Sequence, residues 1–326
     1  MKTAIMKTAM KKSKVLAANE KNIGVVAKII REGDIAAFPT ETVYGIGANA
    51  LDETAVDKIF IAKGRPSDNP LIVHISDEKM LKDIVSRVPQ KSKSLMKRFW
   101  PGPLTIVFPK SDRISDKVTA GLSTVAVRMP ANRIALELIK RSGVPIAAPS
   151  ANKSGKPSPT NAKHVADDFE GLIVLDGGET QHGLESTVIS VSGKPVILRL
   201  GAITHEQLKE AIPDITIAKR DARVQSPGMK YKHYAPKNPL ILFRNMKDLR
   251  RYAKNDCVVL CKTGQKRLFG GLKTYDLGKD DTEAAKNIYS ALRDAKGKEI
   301  LILAFKKKGI GKTIMDRLER AATKII

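Results

Sequence analysis

Lys63 and Arg65 flank a glycine, and Ser150 and Asn152 flank an alanine. In an extended segment, residues two apart point to one face, so an ammonium and a planar guanidinium there can grip one polyphosphate. The hydroxyl and amide at 150 and 152 suit phosphate oxygens or a divalent cation travelling with them. Neither tripeptide is specific alone, because basic pairs are usually solvated surface and Ser-Ala-Asn is an ordinary loop. The run Phe38-Pro39-Thr40-Glu41-Thr42-Val43-Tyr44-Gly45-Ile46-Gly47 adds weight. It follows an apolar stretch, 34–38, that reads as a buried strand, and it sets two threonines and two glycines where a strand enters a turn, a place where ligands are gripped.

Further short motifs follow in order: Pro66-Ser67-Asp68-Asn69-Pro70-Leu71, Val73-His74-Ile75, Trp100-Pro101-Gly102-Pro103-Leu104-Thr105, Val125-Ala126-Val127-Arg128-Met129-Pro130 and Glu185-Ser186-Thr187-Val188. This ordered set resembles the YrdC-like threonylcarbamoyl-adenylate synthase family. Ser226-Pro227-Gly228-Met229-Lys230-Tyr231-Lys232-His233-Tyr234-Ala235-Pro236 resembles the linker of its long, two-domain members. From Leu240 onward the chain resembles their small C-terminal domain, so the likeness runs from about Ile23 to the end.

The resemblance implies a nucleotidyltransferase that joins L-threonine, bicarbonate or CO₂ and ATP into threonylcarbamoyl-adenylate and pyrophosphate. Its product would pass to a downstream tRNA threonylcarbamoyl-transfer machinery, which modifies the adenosine beside the anticodon. Mg²⁺ would be held mainly through the ATP phosphates, with no side-chain cluster for it. Carried onto matching positions, Lys63, Arg65, Ser150 and Asn152 are the catalytic set and contact ATP, joined there by Asn69, Thr124, Ser158, Arg199 and Tyr234. Thr42, His74, Arg128, Ala148 and Ser186 would bind L-threonine, with Arg128 on its carboxylate. Such chemistry needs positioning and charge stabilisation and no protein nucleophile, which fits the lack of a Ser-His-Asp or Cys-His arrangement. Taken without the motifs, His74 is a satisfied core histidine, Thr42 and Ser186 bond turn backbone, and Arg128 and Arg199 are structural ion pairs. The competing class is an RNA-binding, translation-associated YrdC-like protein without synthase activity. Relatives that mature proteins by carbamoyl transfer carry zinc-finger and acylphosphatase-like segments, and neither is visible in this sequence.

The elements that must position these groups are legible from periodicity. Apolar spacing predicts helices over 22–32, 55–62, 79–85, 92–99 and 133–142. Short strands are expected over 34–38, 71–75, 104–108, 124–128, 146–148, 173–176, 187–191 and 196–199. This uneven alternation gives an α/β fold with a mixed sheet, and the resemblance implies that the sheet twists around a concave basic site. Beyond residue 239 strands and helices alternate regularly, as in a small Rossmann-like parallel α/β domain. The expected division is a flexible basic extension over 1–18, a YrdC-like catalytic domain over 19–212, a linker over 213–238 and the small domain over 239–326. Tyr231, His233 and Tyr234 in the linker suggest a lid that closes over ATP and keeps water from the acyl-adenylate. Gly309-Ile310-Gly311-Lys312-Thr313 looks like a phosphate loop, but Lys306 stands where a Walker motif needs its first glycine.

Composition agrees with two globular domains: 326 residues, 42% hydrophobic. No apolar run is long enough to span a bilayer, and the basic N-terminus lacks the apolar core and cleavage site of a secretory signal. Cys257 and Cys261 lie on one strand face, too far apart for a disulfide, and their use suggests a reducing cytoplasm. The net charge of +24 is concentrated toward the C-terminus, where residues 237–326 hold 22 Lys and Arg against 10 Asp and Glu. Such a field can attract an anionic substrate or bind tRNA or other RNA weakly and nonspecifically, and it can equally be a solvated surface with no partner. With 5% aromatic residues there are few stacking platforms for specific recognition.

Overall fold

A computed structural model describes residues 12–219 and 234–326. Its first part is one mixed sheet of eleven strands among the described residues. In spatial order these are Lys14–Ala17, Ile173–Asp176, Ala36–Phe38, Gly45–Asn49, Ile146–Ala147, Ile72–His74, Thr124–Arg128, Leu104–Pro109, Thr187–Ser190, Val196–Arg199 and Thr216–Ile217. The central strands read as nearly continuous apolar runs because both faces are covered, and Ala36–Phe38 and Leu104–Phe108 are buried throughout. On one face the helices Glu20–Arg31 and Arg133–Ser142 pack together through Ile23, Val26, Ile30, Leu138 and Ile139. Each such side chain contributes about 1.5–3 kcal/mol of hydrophobic stabilisation. Asn19 and Asn132 cap their N-termini with side-chain oxygens, and Gly143 ends the second in the left-handed conformation.

Four local expectations change. Lys63-Gly64-Arg65 is not extended: Lys63 ends the helix Glu53–Lys63, and Gly64, at φ 59°, is its left-handed cap. The glycine turns the chain so that Lys63 and Arg65 still reach one cavity. The Thr- and Gly-rich run leads into a strand, Gly45–Asn49, paired antiparallel with Ala36–Phe38. A β-carbon on Gly47 would meet Ile146 at 2.6 Å and Phe38 at 2.7 Å, so glycine there serves close packing. The expected flexible extension over 1–18 is ordered in part, since Lys14–Ala17 adds a parallel edge strand to Ile173–Asp176. The expected linker over 213–238 begins later: Ile212 and Ile215 belong to the main core, and Thr216–Ile217 pairs with Val196–Arg199.

The second part is a five-stranded, all-parallel sheet in the order Lys273–Asp276, Val258–Cys261, Ile300–Leu303, Leu240–Phe243, Lys324–Ile325. Met246–Tyr252, Asp281–Asp294 and Ile310–Ala321 are its helices. Cys257 and Cys261 are free and buried in the same apolar cluster, and burial pushes the Cys261 thiol up to about 11. The glycine-rich turn caps Ile310–Ala321 with Gly309 at φ 53°. Its polar groups face the first domain: Lys312 pairs with Glu206 at 2.9 Å, and the Thr313 hydroxyl donates to the Gly201 carbonyl at 3.0 Å. No described helix is long and apolar enough to cross a membrane.

Candidate active site

One cavity opens over the sheet where the loops after Ala36–Phe38, Ile146–Ala147 and Ile173–Asp176 converge with the end of helix Glu53–Lys63. Lys63 lies in its wall with the ammonium donating to the carbonyls of Ser150 and Asn152, both at 2.5 Å. The two tripeptides therefore touch. Burial, then the neighbouring Arg65 charge, pulls the Lys63 pKa well below its ordinary 10.5. Arg65 is held by the backbone oxygens of Asn69, at 3.2 Å, and Pro70, at 3.1 Å. The Ser150 hydroxyl donates to Asn152 Oδ1 at 2.6 Å, and the Asn152 amide donates to the carbonyls of Lys153 and Lys156. The result is a stiff, basic corner whose side chains are already fixed by one another.

Across the cavity, Arg128 ends strand Thr124–Arg128 and is buried. Its Nη2 is 2.6 Å from Glu41 Oε1, its Nη1 donates to Thr42 Oγ1 at 2.9 Å, and its Nε donates to the Gly102 carbonyl at 3.2 Å. Burial alone would raise the Glu41 pKa, but Arg128 outweighs it and holds the carboxylate charged. His74, at the end of its parallel neighbour strand and paired in register with Arg128, is buried and lines the cavity, and among the described residues its Nδ1 meets no well-aligned partner. Burial and then the Arg128 charge pull its pKa down to about 3, so it is a neutral hydrogen-bonding group at physiological pH.

The floor carries Ser186, whose hydroxyl is 2.7 Å from Thr105 Oγ1 and accepts from Arg199 Nη2 at 3.1 Å. Beside it, Glu185 is buried at the cavity wall and accepts from Ser158 Oγ at 2.7 Å. Thus Lys63, Arg65, Ser150, Asn152, Ser158, Arg199, Tyr234, Thr42, His74, Arg128, Ala148 and Ser186 line one cavity. Asn69 and Thr124 do not line it. Asn69 is buried behind Arg65, which its carbonyl orients, and Thr124 begins the strand that Arg128 ends, four residues away. The lid expected around Tyr231 and His233 lies outside the described residues, whereas Tyr234 reaches the cavity.

Two carboxylates were missed as site residues although both stand in the quoted motifs. Glu41 and Glu185 are acids inside buried segments, and a buried acid must find a cation. That rule would have flagged them. Among the described residues no group of three or more His, Cys, Asp or Glu could hold a metal ion. The neutral oxygens of Ser150 and Asn152 are hard donors compatible with Mg²⁺ that arrives already bound to phosphates.

Comparison with known proteins covers both parts of the chain. The Sua5, YciO and YrdC family, described as telomere recombination, matches residues 28–201. The threonylcarbamoyl-AMP synthase C-terminal domain matches residues 203–323. A threonylcarbamoyl-AMP synthase of Pyrococcus abyssi is 47% identical over 93% of this chain and 94% of its own length. One of Bacillus subtilis is 47% identical over 94% of each. The crystal structure of P. abyssi Sua5 complexed with L-threonine superposes with a TM-score of 0.87 at 43% identity, covering 97% of this chain and 99% of that one.

Proposed function

This chain belongs to the Sua5, YciO and YrdC family in its two-domain threonylcarbamoyl-AMP synthase form, and from that premise we propose that it makes threonylcarbamoyl-AMP from L-threonine, bicarbonate or CO₂ and ATP. It is then a nucleotidyltransferase serving tRNA modification. What most supports the reading is the meeting of Lys63, Ser150 and Asn152 at one wall of a cavity whose other wall presents Arg128 and His74.

The chemistry follows from those groups. The threonine amine, once deprotonated, adds to CO₂ to give a carbamate. A carbamate oxygen attacks the α-phosphorus of ATP, and pyrophosphate leaves from it. Arg128 receives the threonine carboxylate, with Glu41 fixing the guanidinium from behind. Thr42, Ala148 and Ser186 shape the amino-acid pocket, and His74, kept neutral by burial, accepts a hydrogen bond without competing for the carboxylate. Lys63, Arg65, Ser150 and Asn152 take the phosphates, while Ser158, Arg199 and Tyr234 border the nucleotide. Mg²⁺ arriving with ATP would supply charge neutralisation for the leaving pyrophosphate, and Ser150 and Asn152 are the residues that would help to hold it. Preorganisation supplies the rate: buried, already paired donors need no rearrangement when charge develops.

The test is pyrophosphate release from ATP with Mg²⁺ and bicarbonate, with and without L-threonine, in wild type and Lys63→Ala. Threonine-dependent release that drops by about 10²–10³ in the variant is expected for loss of one charge-stabilising donor. Release indifferent to threonine in folded protein would remove the reading.

A further inference from the structure

The second domain touches the first at residues adjacent to the cavity, and these contacts are side chains of its helices reaching into the site's own floor. Glu185 is the meeting point. Its Oε1 accepts from Ser158 Oγ at 2.7 Å and from the Tyr289 hydroxyl at 3.0 Å. Its Oε2 accepts from the same hydroxyl at 3.0 Å and from Arg317 Nε at 3.0 Å. Tyr289 and Arg317 are among the most buried large side chains of the chain, although they belong to helices Asp281–Asp294 and Ile310–Ala321 of the second domain. Burial would raise the Glu185 pKa, yet Arg317 and then Arg199 outweigh it and hold the carboxyl down at about 2.

Neighbouring contacts follow the same pattern. Arg293 donates to the Pro157 carbonyl at 2.9 Å, one residue before Ser158, and Arg317 Nη2 donates to the Leu200 carbonyl at 2.6 Å, one residue after Arg199. A β-carbon on Gly183 would sit 2.0 Å from the Lys286 carbonyl oxygen, so the two backbones are in contact two residues before Glu185. Tyr234 stacks on the Tyr289 ring at 5.2 Å, and Arg317 lies 5.3 Å from its ring centre. Tyr234 holds a φ of 70°, a conformation that a non-glycine residue keeps only where its surroundings enforce it.

We propose that the second domain is a wall of the active site, and that Tyr289 and Arg317 are positioning residues that act through Glu185 and Tyr234. The carboxylate clamps the Ser158 and Ser186 loops in the geometry that receives substrate, and the Tyr289 ring with the Arg317 guanidinium forms the seat on which Tyr234 rests at the cavity edge. This rests on the synthase reading, and it assigns the second domain a role in that reaction: without it the floor loses a fixed carboxylate and the edge loses its tyrosine.

Three single variants of the full chain separate positioning from docking. Tyr289→Phe keeps the ring under Tyr234 and removes only the hydroxyl that holds Glu185. Tyr289→Leu removes the seat as well. Thr313→Val breaks a contact between the domains, the bond to the Gly201 carbonyl, and leaves the hydrogen bonds of the Glu185 carboxylate and the seat of Tyr234 in place. Loss of a hydrogen bond to a buried carboxylate predicts that Tyr289→Phe weakens L-threonine binding by calorimetry roughly tenfold and raises its KM in step. Tyr289→Leu should lower kcat as well, and Thr313→Val should leave KM and kcat for threonine within about twofold of wild type. An active wild type in which Tyr289→Phe binds threonine normally, or in which Thr313→Val shifts KM as far as Tyr289→Phe does, overturns the proposal alone. A wild type with neither threonine binding nor threonine-dependent turnover overturns the synthase reading and the proposal with it.

Discussion

Arg128 and Glu41 form a buried ion pair whose side chains are 4% and 2% exposed, and replacing only the arginine exposes what each partner does. In Arg128→Met the methionine fills much of the volume, but Glu41 keeps its place in the core with no cation 2.6 Å away. The backbone amides of Ala131 and of Glu41 itself stay beside the carboxylate, but neither carries a full charge, so they replace only part of the lost attraction. Breaking one side of a buried pair costs about 3–5 kcal/mol. The pH dependence has a definite sign. In the wild type the Glu41 pKa lies below its unfolded value near 4.5, so its stabilisation is present above that value and is lost as pH falls through the depressed folded pKa. In the variant, burial without Arg128 raises the folded pKa above the unfolded one, so stability is regained as pH falls through it. The deficit is therefore largest near pH 8 and shrinks toward pH 5. Trp100, the chain's single tryptophan, is buried two residues from the Gly102 carbonyl that Arg128 holds, and its fluorescence reports urea unfolding of this domain. Removing both charges in Glu41→Gln with Arg128→Met should recover most of the loss. A deficit under about 1 kcal/mol, or one unchanged between pH 8 and pH 5, would refute this account of the pair.

Other outcomes follow from the same site. A triphosphate arriving beside Lys63 should raise its depressed pKa, so ATP binding at alkaline pH takes up protons; calorimetry in buffers of different ionisation heat should show this, and Lys63→Met should abolish it. Identical heats in all buffers for the wild type would contradict it. His74, with its pKa near 3, should remain neutral to pH 5, so its ring nitrogen-15 resonances should show no titration around 6.5; a midpoint above 5 would mean that the imidazole is not buried as described. Cys257 and Cys261, buried and with thiol pKa values raised, should react with a thiol reagent only after denaturation. Rapid native labelling would show that the second sheet opens.

The sequence was most legible where local pattern and tertiary demand agree. Helix Arg133–Ser142 and strand Thr124–Arg128 have the bounds that apolar spacing predicts, because the helix buries one face on the core and the strand is buried on both. Lys14–Ala17 escaped notice because an edge strand with exposed residues carries no apolar alternation, and only its partner Ile173–Asp176 defines it. Gly45–Asn49 was hidden because its glycines read as a turn, when they serve close approach to Phe38 and Ile146. For the site, the motifs supplied the side chains but not their partners. That Lys63 grips the Ser150 loop, that Glu41 backs Arg128, and that Glu185 joins two domains are contacts over 87 residues in each of the first two cases or more in the third, which no local spacing encodes.

The most direct test supplies the purified protein with ATP, Mg²⁺, L-threonine and carbon-13 bicarbonate and identifies the nucleotide product by mass spectrometry. The account predicts threonylcarbamoyl-AMP carrying one carbon-13 atom, formed in equal amount with pyrophosphate and only when threonine is present. An adenylate without the label, or pyrophosphate released without any carbamoylated product, would contradict it.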